Sequence, residues 1–188
     1  FNIMKFGDTF FLQKIGTAMG TSCAVIFANL YYAWHEKNVI LPKYLSTHPN
    51  DSPNSSPKSL LLHRRFVDDI IGIWIGDEEE FEHYIKDLNT FGILKWDCSK
   101  PTLTVNFLDM TISIQNSTIS TKTYQKEGNP YLYINPSSAH PPDMIKGIIF
   151  GSIKCYFEQN SSKEDFISIT KLFFQRLVVA RDWDTSII

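Results

Sequence analysis

Residues 60–76 hold two apolar runs, Leu60-Leu61-Leu62 through Phe66-Val67 and Ile70-Ile71 through Ile75, which meet at two adjacent aspartates, Asp68 and Asp69. Carboxylates set among apolar residues are costly to bury without partners. A chain of this pattern must therefore turn at the pair and bring it to the surface. Beta-branched and aromatic residues on both sides favour strands, so the segment predicts a tight hairpin with the aspartates at its tip. A solvated turn is the plain alternative, because Asp is common in turns. Against that, Gly, Asn or Ser would reverse the chain at lower cost. Hard divalent cations are held by one or two carboxylates together with substrate phosphates, and a two-metal site needs its carboxylates on a rigid element.

The rest of the sequence is consistent with a packed domain around that hairpin. Of 188 residues, 43% are apolar and 14% aromatic, enough for one core. This composition excludes a disordered chain, and no apolar stretch approaches a membrane span. The formal charge of −2 lacks the basic excess typical of nucleic-acid binders. The acid is concentrated, however: residues 60–100 carry nine Asp and Glu against five Lys and Arg. Cys23, Cys98 and Cys155 lie far apart, which suggests free intracellular thiols rather than a disulfide frame or a zinc site. His35, His48, His63 and His83 show no metal-ligand spacing.

Along the chain, residues 3–14 predict a hairpin around Gly7-Asp8. A glycine-punctuated segment, Gly16 to Ser22, leads into a buried helix from Cys23 to Trp34 that ends near Asn38. Residues 42–59 are rich in Pro, Ser, Asn and Asp and predict a flexible loop. Asp77 to Glu80 open a helix with Phe81, Ile85 and Leu88 on one face. Strands are expected over Ile93–Trp96, Leu103–Ile114 and Thr118–Gln125. Beyond Gly128 the pattern is helical: Met144–Phe157, then a last helix with Phe166, Ile169, Phe173 and Leu177 on one face, opened by a capping box at Ser161/Ser162 with Glu164/Asp165. Strands joined by hairpins rather than crossover helices place the chain in the α+β class.

Taken together, these segments resemble the reverse transcriptases. Phe66-Val67-Asp68-Asp69 resembles their motif C. Gly16-Thr17-Ala18-Met19-Gly20-Thr21-Ser22, followed by Ala28-Asn29-Leu30-Tyr31, resembles motif B. The helix at 77–90 with Gly92 and nearby lysines resembles motif D, and Asn106-Phe107-Leu108-Asp109 resembles motif E, the primer grip. The wording of Gln13 to Thr21, of Arg65-Phe66-Val67-Asp68-Asp69-Ile70 and of Phe107-Leu108-Asp109 is similar to Penelope-like retroelements, relatives of telomerase reverse transcriptase. Tyr133 to Pro141 looks like their early thumb. Val25 stands where the motif B helix usually has Pro.

The resemblance implies a polymerase right-hand palm over 1–127, with an antiparallel sheet and packed helices, and the start of a helical thumb over 128–188. It implies RNA-directed DNA polymerase chemistry: extension of a DNA primer 3′-hydroxyl on an RNA template with dNTPs, assisted by two Mg²⁺ ions, with Mn²⁺ a possible substitute. Asp68 would be the metal ligand and Asp69 its support. Gln13, Gly16 and Gly20 would lie against template or nucleotide. Lys100, with Lys95 as competitor, would protonate the pyrophosphate leaving group, and Phe107 and Leu108 would press the primer. The same resemblance implies an intracellular, nuclear protein without membrane partners. Motif A with its Asp, the fingers and the rest of the thumb would lie elsewhere in the parent chain, leaving this stretch inactive alone. Asp8, in the hairpin directly before motif B, is not the motif A residue. The contrasting reading is an inactive retroelement remnant that binds nucleic acid or protein. A carboxylate-pair hydrolase lacks a second acid at defined separation.

Overall fold

The computed structural model describes residues 2–18, 20–46, 58–135, 137–141 and 143–181. Met19, Pro136, Pro142 and residues 47–57 of the expected loop lie outside the described residues. The fold is mixed α and β, with small antiparallel sheets, and it divides into two units, 1–101 and 102–188. The boundary expected near residue 127 falls inside the second unit.

In the first unit, β1 (Ile3–Phe6) and β2 (Thr9–Leu12) form the expected hairpin, with Phe6 opposite Thr9. Helix α1 (Ala24–His35) runs into a π-helical turn at Glu36–Ile40 and then α2 (Leu41–Tyr44). The helical path thus extends past Asn38 and takes in the first residues of the expected loop. Pro42 lies directly after the π turn, at the start of α2. β3 (Leu60–Phe66) pairs with β4 (Asp69–Trp74), with an irregular register at Leu61. Helix α3 (Glu78–Leu88) is capped by Asp77, whose carboxylate accepts from the Glu80 N–H at 2.8 Å.

These elements close over a core of Tyr32, Ile40, Tyr44, Leu60, Tyr84 and Leu88, flanked by Trp74, Phe81, Phe91 and Trp96. The buried Tyr32 hydroxyl donates to the Leu88 carbonyl at 2.9 Å and ties α1 to the end of α3. Helix α1 is not the buried helix its composition predicts. Only its Ala24, Tyr32 and His35 are buried, while Val25, Ile26, Phe27, Leu30 and Trp34 are exposed, because the core of this unit meets one side of the helix alone.

Residues 93–96 do not form the expected strand. Their backbone is engaged by a side chain instead: Asn89 accepts from the Trp96 N–H at 2.6 Å and donates to the Trp96 carbonyl at 3.2 Å. The Trp96 ring packs on Tyr32 with centroids 4.9 Å apart.

In the second unit, the stretch expected as one strand over 103–114 is two strands. β5 (Thr104–Phe107) turns at Leu108-Asp109 into β6 (Met110–Gln115), and β7 (Thr118–Thr123) completes a three-stranded antiparallel sheet. Helices α4 (Asp143–Gln159) and α5 (Lys163–Arg181) follow. Ser162 accepts from the Asp165 N–H at 3.0 Å, as the capping pattern predicts. Phe173 and Leu177 are fully buried, with Tyr133, Ile145, Ile148 and Tyr156 packed around them. The α4–α5 connection satisfies the β7 edge: Asn160 accepts from the Thr123 N–H and Ser161 from the Thr121 N–H.

Candidate active site

The two-residue turn between β3 and β4 is Val67-Asp68, with Phe66 paired to Asp69. Asp68 therefore occupies the tip and Asp69 the first position of β4; both are exposed. Val67 has φ +53°, and its successor does not share the positive φ, which is the type II′ pattern. A β-branched residue in this region is strained, since its Cβ crowds the backbone. The β1–β2 turn has the same arrangement with Gly7 at φ +60°, where no Cβ penalty arises. The tip that carries Asp68 thus holds a conformation that glycine would adopt freely.

A polar cluster lies behind the turn. Strand alternation puts His63 and Arg65 on one face of β3, and helical spacing puts Asn29, Tyr32 and Glu36 on one face of α1 and its π turn. Where the faces meet, Glu36 receives Arg65 Nε and Nη2, each at 2.8 Å. Arg65 Nη1 donates to Asn29 Oδ1 at 3.0 Å and to the Val67 carbonyl at 2.9 Å, and Nη2 donates to the Asn29 carbonyl at 3.2 Å. The guanidinium also lies 5.5 Å from the Tyr32 ring centre. His63 Nε2 bonds Glu36 Oε1 at 2.9 Å. A carboxylate only accepts, so that nitrogen carries the proton, and in the neutral ring Nδ1 accepts from the Tyr84 hydroxyl at 3.3 Å. Burial pushes the Glu36 carboxyl up, but the bonds from His63 and Arg65 and the Arg65 charge outweigh it and hold it below the ordinary range.

The segment before α1 is shaped by its glycines. Gly16 has φ +83° and Gly20 +89°. An added Cβ at Gly16 would stand 3.3 Å from Gln13 Nε2, while at Gly20 it would meet open space. Gln13 is engaged locally: Nε2 donates to the Ile15 carbonyl and Oε1 accepts from Asn2, both at 2.9 Å. Gln13 and Gly16 therefore form one local unit.

Lys100 lies on an irregular stretch and pairs with Glu78 in the first turn of α3. That hydrogen bond raises the Lys100 pKa and lowers that of Glu78. Lys95 donates to the Asn89 carbonyl at 3.0 Å. Phe107 and Leu108 belong to the second unit, where Leu108 occupies a II′-type turn at φ +52° and Phe107 pairs with Met110.

Among the described residues no group of three His, Cys, Asp or Glu side chains is assembled for a metal. The donor set at the tip still fits Mg²⁺: two exposed carboxylates on a hairpin offer hard oxygens, and such ions take their remaining ligands from substrate phosphates and water. Sequence reasoning passed over Glu36 and weighed His63 only as a metal ligand. The available signal was a glutamate at the end of an apolar helical run, opposite two basic residues spaced by two on a strand.

A telomerase reverse transcriptase from Oryza sativa subsp. japonica is 34% identical over 101 residues, a match that takes in 52% of this chain and 8% of the rice protein. No protein-family model matches the chain, and no solved structure matches it. Among the described residues no helix is long and apolar enough to cross a membrane. Cys23, Cys98 and Cys155 are free thiols. The similarity to a telomerase reverse transcriptase is thus a distant one, which takes in about half of this chain and a small part of the rice protein.

Proposed function

We propose that this chain is palm and early thumb of an RNA-directed DNA polymerase, of Penelope-like type, that extends a DNA primer on an RNA template. The observation that carries this reading is the strained β3–β4 hairpin, which presents Asp68 at its tip and Asp69 at the start of β4. It is supported by the likeness to a telomerase reverse transcriptase.

In this reading Asp68 holds the metal and Asp69 supports it. Bound Mg²⁺ would lower the pKa of the primer 3′-hydroxyl and offset the charge of the nucleotide phosphates. The chain's own residues do the positioning. The hairpin fixes where the two carboxylates stand, and the exposed tip leaves them open to substrate. The Gly16–Gly20 segment offers backbone that a template base or nucleotide can approach closely. Lys100 carries a proton that a departing pyrophosphate can take, once its pairing with Glu78 is exchanged for the phosphate. Leu108, at the apex of the β5–β6 turn and 41% exposed, offers an apolar contact to the primer strand.

The test is primer extension by the full-length protein that carries this chain. Asp68→Ala abolishes it while the fold, read by circular dichroism, is retained. Undiminished extension by Asp68→Ala would sink the assignment and favour a non-catalytic binding module.

A further inference from the structure

We propose that Arg65 is a positioning residue: its guanidinium clamps the Val67 carbonyl and thereby holds the strained turn that presents Asp68. The inference deepens the polymerase reading and rests on it for its kinetic arm.

The first argument is saturation. A guanidinium has five N–H donors and no acceptor. Arg65 spends all five: two on Glu36, two on Asn29 and one on Val67. No donor remains for a phosphate or for the Asp68 and Asp69 carboxylates. A guanidinium beside a metal-binding carboxylate would otherwise compete with the cation for it. Here Glu36 draws that charge away from the tip, and the side chain is only 8% exposed. Arg65 therefore acts on the site through backbone, not through substrate.

The second argument is strain. Val67 at φ +53° persists only if its surroundings fix it. Its carbonyl is the one atom of the turn bonded to Arg65, and the same Nη1 is anchored on Asn29 of α1. The clamp thus connects the helix following the Gly16–Gly20 segment to the turn carrying Asp68. A lysine cannot reproduce it, because one ammonium point charge cannot satisfy Glu36, Asn29 and Val67 in a planar fork.

The experiment compares the full-length protein with its Arg65→Lys variant by two readouts. One is amide hydrogen exchange at residues 66–69. The other is extension of oligo(dT) on poly(rA) with dTTP over a Mg²⁺ titration. We expect faster exchange at 66–69, kcat lower by about 30-fold or more from misplacement of the carboxylates, KM for dTTP within about twofold, and half-activation at higher Mg²⁺. Should Arg65→Lys fail to fold, Asn29→Ala removes the Nη1 anchor and leaves the ion pair, and the same changes are expected at smaller size. Unchanged exchange at 66–69 overturns the proposal, as does a raised KM with kcat preserved, which would make Arg65 a substrate contact. If the wild-type protein shows no Asp68-dependent extension, the polymerase reading fails. The exchange measurement still decides the role of Arg65 in that case.

Discussion

The Glu36 carboxylate and the Arg65 guanidinium meet through two 2.8 Å hydrogen bonds, joining the π turn after α1 to the strand that leads into the aspartate pair. Both side chains are nearly buried, and His63 shares the carboxylate. Breaking one partner of such a group leaves an uncompensated charge, so Glu36→Gln is expected to cost about 3 kcal/mol at neutral pH. The folded-state pKa of Glu36 is depressed below its ordinary 4.5. Its stabilisation is therefore present above that value and lost as pH falls through the folded one. Urea unfolding from pH 7 down to about pH 3 should show wild-type stability falling more steeply than that of Glu36→Gln. Parallel pH curves would contradict the ion pair.

Val67 supplies a second check. Releasing φ +53° strain contributes about 1–3 kcal/mol, while glycine in the unfolded chain costs about 0.5–1 kcal/mol. Val67→Gly is expected to gain about 1 kcal/mol in denaturant unfolding and to lose turnover in primer extension, because the tip is freer. A large loss of stability would show that the valine side chain, not the turn, is needed there.

Gly92 tests the end of α3 and its packing on α1. It has φ +63°, and a Cβ there would clash with the Tyr31 hydroxyl. Gly92→Ala should destabilise the first unit by about 1–2 kcal/mol, with loss of exchange protection in α1 and α3. A neutral effect would mean that this approach is not maintained in solution.

In the second unit, Phe173 is fully buried, with its ring centre 4.9 Å from that of Tyr133 and 5.8 Å from that of Tyr156. Phe173→Ala is expected to cost about 3–5 kcal/mol, read by denaturant unfolding. Phe166→Ala, on a half-buried ring, should cost less. The reverse order would contradict the placement of this core.

Which of these features were legible in the sequence follows from how local their causes are. The Gly7-Asp8 hairpin, the acidic start of α3 and the Ser162 cap follow from neighbouring residues and appear where the sequence places them, while the hairpin at the aspartate pair turns one residue early, at Val67-Asp68. One strand over Leu103–Ile114 is expected because Leu108 carries no turn signal: a residue with a Cβ at φ +52° is a cost that sequence patterns do not announce. Ile93–Trp96 looked like a strand because its composition is apolar, yet Asn89 takes its backbone bonds. Helix α1 is expected to be buried from its length and Ala content, whereas the core covers one side of it only. At the site, the aspartates were readable as a motif. The Arg65, Glu36 and His63 cluster was not, because it needs an α1 face and a β3 face brought together across 29 residues of sequence.

The most direct test of the central claim is the rate of oligo(dT) extension on poly(rA) by full-length wild-type protein and by its Asp68→Asn variant, at saturating Mg²⁺ and matched fold. Asp68 is exposed, so the substitution leaves packing intact while removing the carboxylate charge that the proposal assigns to metal binding. The account predicts a fall of about a thousandfold or more, with thermal stability unchanged. Extension by Asp68→Asn at the wild-type rate would contradict it.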